Sequence, residues 1–318
     1  VSMSLAQTRL ADPVLTRVAQ GYTNPDFVGG ALFPSVPVTV SGGQIIEFDR
    51  AAFVRYQARR APGSDTKRIP MGYFGRPYRL VNEGLDAQVP RELARDAQKV
   101  PGVDLGSRAI NVTMRALRLG LEIDQATLAR DTASYPASNR VTLAPGARWS
   151  DAAVNPSTSI EAGREAIRNA VGMYPNVAVL SARAYAAARQ NPQVLDRVKY
   201  STTDSVTTEV LGRLWDIPRV LVGKAVHAAN NDPLPGPAPA GTFTDVWGTD
   251  VVLAYAPERP SGAEEPSFAY TYEMEGHPFV EEPRWDGDSR SWIYGVSYER
   301  APVLSGISAG YLIQTAAT

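Results

Sequence analysis

The chain has 318 residues, 44% of them apolar and 20% charged, a composition that buries a large core and excludes disordered and fibrous classes. Its formal net charge of −1 excludes a surface that grips nucleic acid over its whole extent, and with no cysteine it can form no disulfide, thiolate metal site or cysteine nucleophile. No apolar run reaches the roughly 18 residues that span a bilayer. Arg9, Asp12 and Arg17 also stand where a signal peptide needs an apolar core, so a reducing cytoplasm and no membrane are expected.

Val1 to Val40 reads as an extended arm with one short helix at Pro13 to Gln20, because Pro25, Gly29, Gly30, Pro34 and Pro37 break every other periodicity. Its apolar residues, Phe27 to Val38, need a surface to lie on. After the Gly42-Gly43 turn, Gln44 to Asp49 alternates like a strand. From Arg50 to Arg79 the chain carries a local excess of seven positive charges, with turn chemistry at Ala61 to Asp65 and aromatics in the flanks. These features predict a long two-stranded excursion, which is marginal in water unless it rests on something.

Asp104 to Asp131 is the strongest helix pattern. Ile110, Met114, Leu117, Leu121 and Leu128 form one apolar stripe, while Arg115, Arg118, Glu122 and Arg130 mostly face away. Unbroken, it is about 40 Å long, with Gly106 and Gly120 each costing about 1 kcal/mol. Further helices are expected at Pro156 to Val171, from a Ser181 cap to Asn191, at Pro192 to Lys199 and at Thr203 to Leu214. Strands are expected at Val177 to Leu180, Arg219 to Val222, Val251 to Tyr255, Phe268 to Glu275, Ser291 to Arg300 and Val303 to Gln314, giving an α+β fold with a mixed sheet covered by helices. Asn230 to Gly241 is a Pro-rich loop expected to be exposed or mobile, and residues 258–288 carry a local excess of seven negative charges.

Catalytic chemistry finds little support. His227 and His277 are the only histidines and show no triad or metal-ligand spacing, and neither GxxxxGK[ST] nor GxGxxG occurs. Asp286-Gly287-Asp288 reads as a turn joining two strands, and Asn111-Val112-Thr113 lies inside the expected helix of a protein made in the cytoplasm, which sets it aside as a glycosylation acceptor. No catalytic, metal or cofactor-binding residue is assigned, and no cofactor is expected.

The order of elements resembles the Hong Kong 97-type major capsid protein family of tailed bacteriophages across essentially the whole chain. Phrases like those of phage capsid proteins recur in order: WSDAAVNPSTSIEAGREAI (149–167), PNVAVLSARAYAAARQNPQVLDRVKY (175–200), RVLVGKAVH (219–227) and WGTDVVLAYAP (247–257). The resemblance implies an N-terminal arm at 1–43, an E-loop hairpin at 44–89 and a P-domain with its spine helix at 90–150. An A-domain at 151–257 and C-terminal strands returning to the P-domain at 258–318 complete it. It further implies self-assembly into pentamers and hexamers, portal, scaffold and decoration proteins as partners, and weakly contacted double-stranded DNA inside a shell built in the host cytoplasm. An encapsulin-like cargo compartment and an α/β enzyme are the alternatives.

The chain departs from the family in starting at Val1 without a long scaffolding extension, which implies a separate scaffold, a cut precursor or an unusual start codon. Opposite charge on two segments suits a lap joint between subunits. The expected contacts are Arg55, Arg59, Arg60, Lys67, Arg68 and Arg76 of the hairpin against Glu264, Glu265, Glu273, Glu275, Glu281 and Glu282. Charge runs that are solvated faces of one subunit are the plainer alternative.

Overall fold

The computed structural model describes residues 12–44, 59, 77–97, 104–199, 205–228, 243–258 and 267–317. From the N-terminus come α1 (Pro13–Gln20), α2 (Gly29–Leu32), β1 (Ser35–Val38), β2 (Gly42–Gln44), β3 (Pro77–Arg79), β4 (Val81–Pro90), α3 (Arg91–Ala97) and α4 (Leu105–Arg130). The middle of the chain supplies β5 (Arg140–Thr142), α5 (Pro156–Val171), β6 (Val177–Ser181), α6 (Ala182–Gln190), α7 (Pro192–Val198), α8 (Thr208–Trp215), β7 (Arg219–Gly223), β8 (Val226–Ala228), β9 (Phe243–Asp245) and β10 (Val251–Ala254). The last strands are β11 (Ala269–Met274), β12 (Phe279–Val280), β13 (Arg284–Asp286), β14 (Ser291–Leu304) and β15 (Gly310–Gln314). Most of the expected hairpin, most of the strand from Gln44 and the Pro-rich loop lie outside the described residues.

Most helix starts follow from their caps. Asp12 accepts hydrogen bonds from the amides of Val14 and Leu15 at 2.9 and 3.0 Å, Asn155 from that of Ser157 at 3.0 Å, and Ser181 from that of Ala184 at 3.2 Å. Asp104 caps α4 in the same way, through the Gly106 amide at 3.0 Å. The stripe Ile110, Met114, Leu117 and Leu121 is buried and packs with Leu15 and Ala19 of α1 and Val280, Val296 and Tyr298 of the sheet below. Gly106 and Gly120 fall where that sheet comes close: a Cβ on Gly106 would meet the Tyr294 ring at 3.2 Å, and one on Gly120 the Arg300 guanidinium at 3.4 Å. Their cost in helix propensity is the cost of the close approach.

Two main sheets carry the fold. In the six-stranded sheet, β14 pairs with β4, β11, β12 and β13, and β1 adds in parallel to β11. The pairing of β4 runs the whole way from Val81 opposite Arg300 to Pro90 opposite Ser291. The five-stranded sheet has the order β5-β15-β10-β6-β7 and mixes parallel with antiparallel pairs, as the alternation of elements predicts. Its central strands β6 and β10 are buried throughout. One set of their side chains joins Ile160 and Ile167 of α5; the other joins Leu32, Phe33, Ala126 and Ala129 of the arm and the end of α4. The spine helix therefore lies on one sheet along its N-terminal part and packs against the other at its C-terminal end.

Several elements differ from expectation. Sequence reading ends a strand at Arg300 and starts another at Val303, whereas β14 runs unbroken to Leu304 and β15 begins only at Gly310. Pro302 is tolerated because it lies opposite Thr271, whose own amide turns the other way to the Pro34 carbonyl at 3.0 Å. The proline nitrogen thus faces the edge where β4 has already ended. Next, α3 and β5 were not anticipated, being short and weakly patterned. Finally, the helix expected from Thr203 begins at Thr208, capped by the Thr207 hydroxyl at 3.4 Å from the Val210 amide.

Candidate assembly surfaces

Glu122 on α4 is 2% exposed, which corrects its expected place on the outward face of that helix. One carboxylate oxygen accepts from the Val28 amide at 3.0 Å and the Trp247 indole at 2.7 Å, and the other accepts from the Gly29 amide at 2.9 Å. The arm, the spine helix and the turn before β10 therefore share one anchor. Burial raises the Glu122 pKa above the ordinary carboxylate value despite these three donors. Gly29 is required here, since a Cβ would stand 2.2 Å from the Gln125 amide oxygen and 2.9 Å from Glu122. About two helical turns further along, Arg130 pairs with Asp250 at 2.7 Å and donates to the Val246 carbonyl at 3.0 Å.

A second polar cluster joins the spine helix to the six-stranded sheet. The Arg300 guanidinium is 2% exposed, pairs with Glu83 of β4 and lies 4.7 Å from the centre of the Tyr298 ring. Arg118 approaches the same ring at 5.1 Å. The Tyr298 hydroxyl donates to Glu273, and burial and that carboxylate push its pKa far up. Beside this cluster, antiparallel pairing of β2 with β3 brings the two ends of segment 45–76 side by side, and Tyr78 stacks on Tyr272 at 4.4 Å.

The contact residues expected from sequence fall in three groups. Arg55, Arg60, Lys67, Arg68, Arg76, Glu264 and Glu265 lie outside the described residues. Arg59, Glu275, Glu281 and Glu282 are exposed. Glu273 is half-buried and already engaged within its own subunit, accepting from Tyr298 and from the Ser35 hydroxyl at 3.1 Å, with Arg118 at 3.9 Å. Asp86, which sequence reading did not single out, joins Glu281 at the surface: both carboxylates border Gly295, where a Cβ would meet them at 3.0 and 3.2 Å.

Sequence reading also missed an aromatic pair at the end of the six-stranded sheet. Trp285 and Trp292 sit opposite each other on β13 and β14, with ring centroids 5.4 Å apart, yet they are 45% and 40% exposed. A composition-level scan cannot find such a pair, because only the β13–β14 register makes the two rings neighbours. The turn between those strands is closed by Asp286, which accepts from the Asp288 amide at 3.2 Å and the Ser289 hydroxyl at 2.5 Å, so its carboxylate is occupied as a turn cap. Among the described residues no group of three His, Cys, Asp or Glu is placed to hold a metal ion.

Comparison with known proteins adds family and fold. No family model matches the chain. It is 33% identical over 313 residues to the major capsid protein of Burkholderia phage BcepMu, covering 97% of each chain. A phage-related protein from Bordetella bronchiseptica has 44% identity and a TM-score of 0.83 over 98% of each chain. The capsid of cyanophage P-SCSP1u, with 10% identity and a TM-score of 0.58 over 92% of this chain and 89% of that one, shares the fold. So does the SrpI encapsulin of Synechococcus elongatus, with 14% identity and a TM-score of 0.50 over 96% of this chain and 95% of that one.

Proposed function

Because this chain belongs to the family of phage major capsid proteins and has the Hong Kong 97-type fold, we propose that its copies form pentamers and hexamers that close into an icosahedral head around double-stranded DNA. In this reading 1–43 is the arm, 44–89 the E-loop, 90–150 the P-domain with its spine helix, 151–257 the A-domain, and 258–318 returns to the P-domain. Portal, scaffold and decoration proteins are its partners, and the host cytoplasm is where the shell is built.

The observation that carries the reading is the pairing of β2 with β3 on a braced platform. It returns a basic segment to its starting point, while Glu275, Glu281 and Glu282 stand exposed. We assign the basic segment of one copy to the acidic face of the next. Partly exposed ion pairs are worth about 0.2–1 kcal/mol each, so they set register and encounter, and apolar burial supplies strength. The Trp285–Trp292 pair provides such apolar surface, of the kind that dominates binding energy at interfaces.

Reversing Arg59, Arg60 and Arg68 to Glu tests the joint. The expected outcome is a folded subunit, unchanged by circular dichroism, that sediments as free subunits or small oligomers. Particles of normal size and yield from that variant count against the joint.

A further inference from the structure

The outer face of the spine helix is unused by the contacts assigned above. Between Asp104 and Glu122 the helix carries no acidic residue but has Arg108, Arg115 and Arg118. Arg118 is turned onto Tyr298, whereas Arg108 and Arg115 are exposed and make no ion pair or side-chain hydrogen bond with any described residue. These two, with Ser107, Asn111 and Tyr22, line an open groove of about 630 Å³ between the helix and the chain leaving α1. The carboxylate at its edge, Asp104, is turned to the helix start, where it accepts from the Gly106 amide and the Ser107 hydroxyl at 3.0 and 2.5 Å.

We infer that this groove is a contact site for the phosphodiester backbone of double-stranded DNA, read without regard to sequence. Arg108, Asn111 and Arg115 are spaced three and four residues apart and so share one face of the helix. The two guanidinium groups leave that helix about 10 Å apart along its axis. One DNA strand advances about 3.4 Å per nucleotide, so they match phosphates about three steps apart. Arginine beside the neutral donors of Asn111 and Tyr22 is the mixture that contacts phosphate and sugar rather than base edges. An acidic protein helix is the competing occupant, but it needs a row of apolar anchor sites at helical spacing. Val112 is the one large apolar side chain exposed among the groove-lining residues. A chain of net charge −1 binds DNA only through such local patches, which suits a shell that holds its contents loosely. The inference rests on the shell reading above for its biological setting, but its chemistry can be tested without a shell.

The full-length protein, unassembled, is titrated against a fluorescent DNA duplex of arbitrary sequence across a chloride series. Wild type is expected to bind, and R108Q/R115Q to bind roughly tenfold more weakly at low salt, with a slope of log affinity against log salt shallower by about 2. N111D, which leaves both arginines in place, is expected to weaken binding too; R189Q/R213Q, on other exposed surfaces, is expected to match wild type. Thermal midpoints establish that each variant is folded. Undiminished binding by R108Q/R115Q, or equal loss in R189Q/R213Q, overturns the site. A groove that instead loses affinity for a polyglutamate tracer, with DNA binding intact, belongs to an acidic protein partner. If R108Q/R115Q still forms shells while losing DNA, the two readings separate, and the shell assignment stands whichever way the DNA result falls.

Discussion

Glu122 is a buried carboxylate with three hydrogen-bond donors and no cation beside it among the described residues, and its pKa is raised because burial outweighs the donors. The sign of its pH dependence follows. Below the ordinary carboxylate value of 4.5 both folded and unfolded chains hold the proton; as pH rises, the unfolded chain releases it first, and stability falls until the folded pKa is passed. Urea melts of the unassembled protein at stepped pH are therefore expected to show this loss in wild type and not in Glu122→Gln. The variant is also expected to be less stable near neutral pH by about 1–3 kcal/mol, because the new amide group turns an N–H toward donors already present. Equal pH dependence in the two proteins would remove Glu122 as its source. Gly29→Ala strikes the same anchor from the arm side. Its Cβ would meet Gln125 at 2.2 Å, so a lower thermal midpoint is expected, with a cost of about 1–3 kcal/mol for the overpacking.

Elements with a strong period were legible in the sequence, and those decided by a partner were not. The spine helix shows its cap and apolar stripe, and α5 its capping asparagine and first-turn proline; both lie within a residue of where periodicity puts them. Glu122 was not legible, because a charged residue at the margin of a stripe looks solvated until the arm and Trp247 arrive to bond it. The continuous β14 was hidden for a similar reason: Pro302 reads as a break, and only the early end of β4 leaves its missing N–H without consequence. Packing between element and sheet is equally tight on the five-stranded side. A Cβ on Gly163 of α5 would stand 2.7 Å from Leu253 and 2.8 Å from Tyr311, so Gly163→Ala is expected to destabilise by about 1–3 kcal/mol in denaturant melts. Leu117→Ala, which empties part of the stripe under the spine helix, is expected to cost about 2–5 kcal/mol. Gly163→Ala at wild-type stability would mean that α5 moves freely on its sheet.

At the scale of the whole molecule, the sequence showed a chain whose arm and charged segments need surfaces to rest on. The described part of the arm finds its surface within the subunit, through α1 on the spine helix and Leu32 and Phe33 in the core. Glu275, Glu281 and Glu282 and the Trp285–Trp292 pair stay exposed to solvent instead. No single motif could have revealed this division, since it depends on which side chains the two sheets cover. If the exposed surfaces are subunit contacts, Trp285→Ser with Trp292→Ser is expected to leave the monomer folded and lower particle yield several-fold, as removal of paired aromatic anchors does at interfaces. The most direct measurement is negative-stain microscopy of the purified wild-type protein. A shell protein gives closed particles of uniform size; a preparation that stays as single folded subunits under every assembly condition contradicts that assignment.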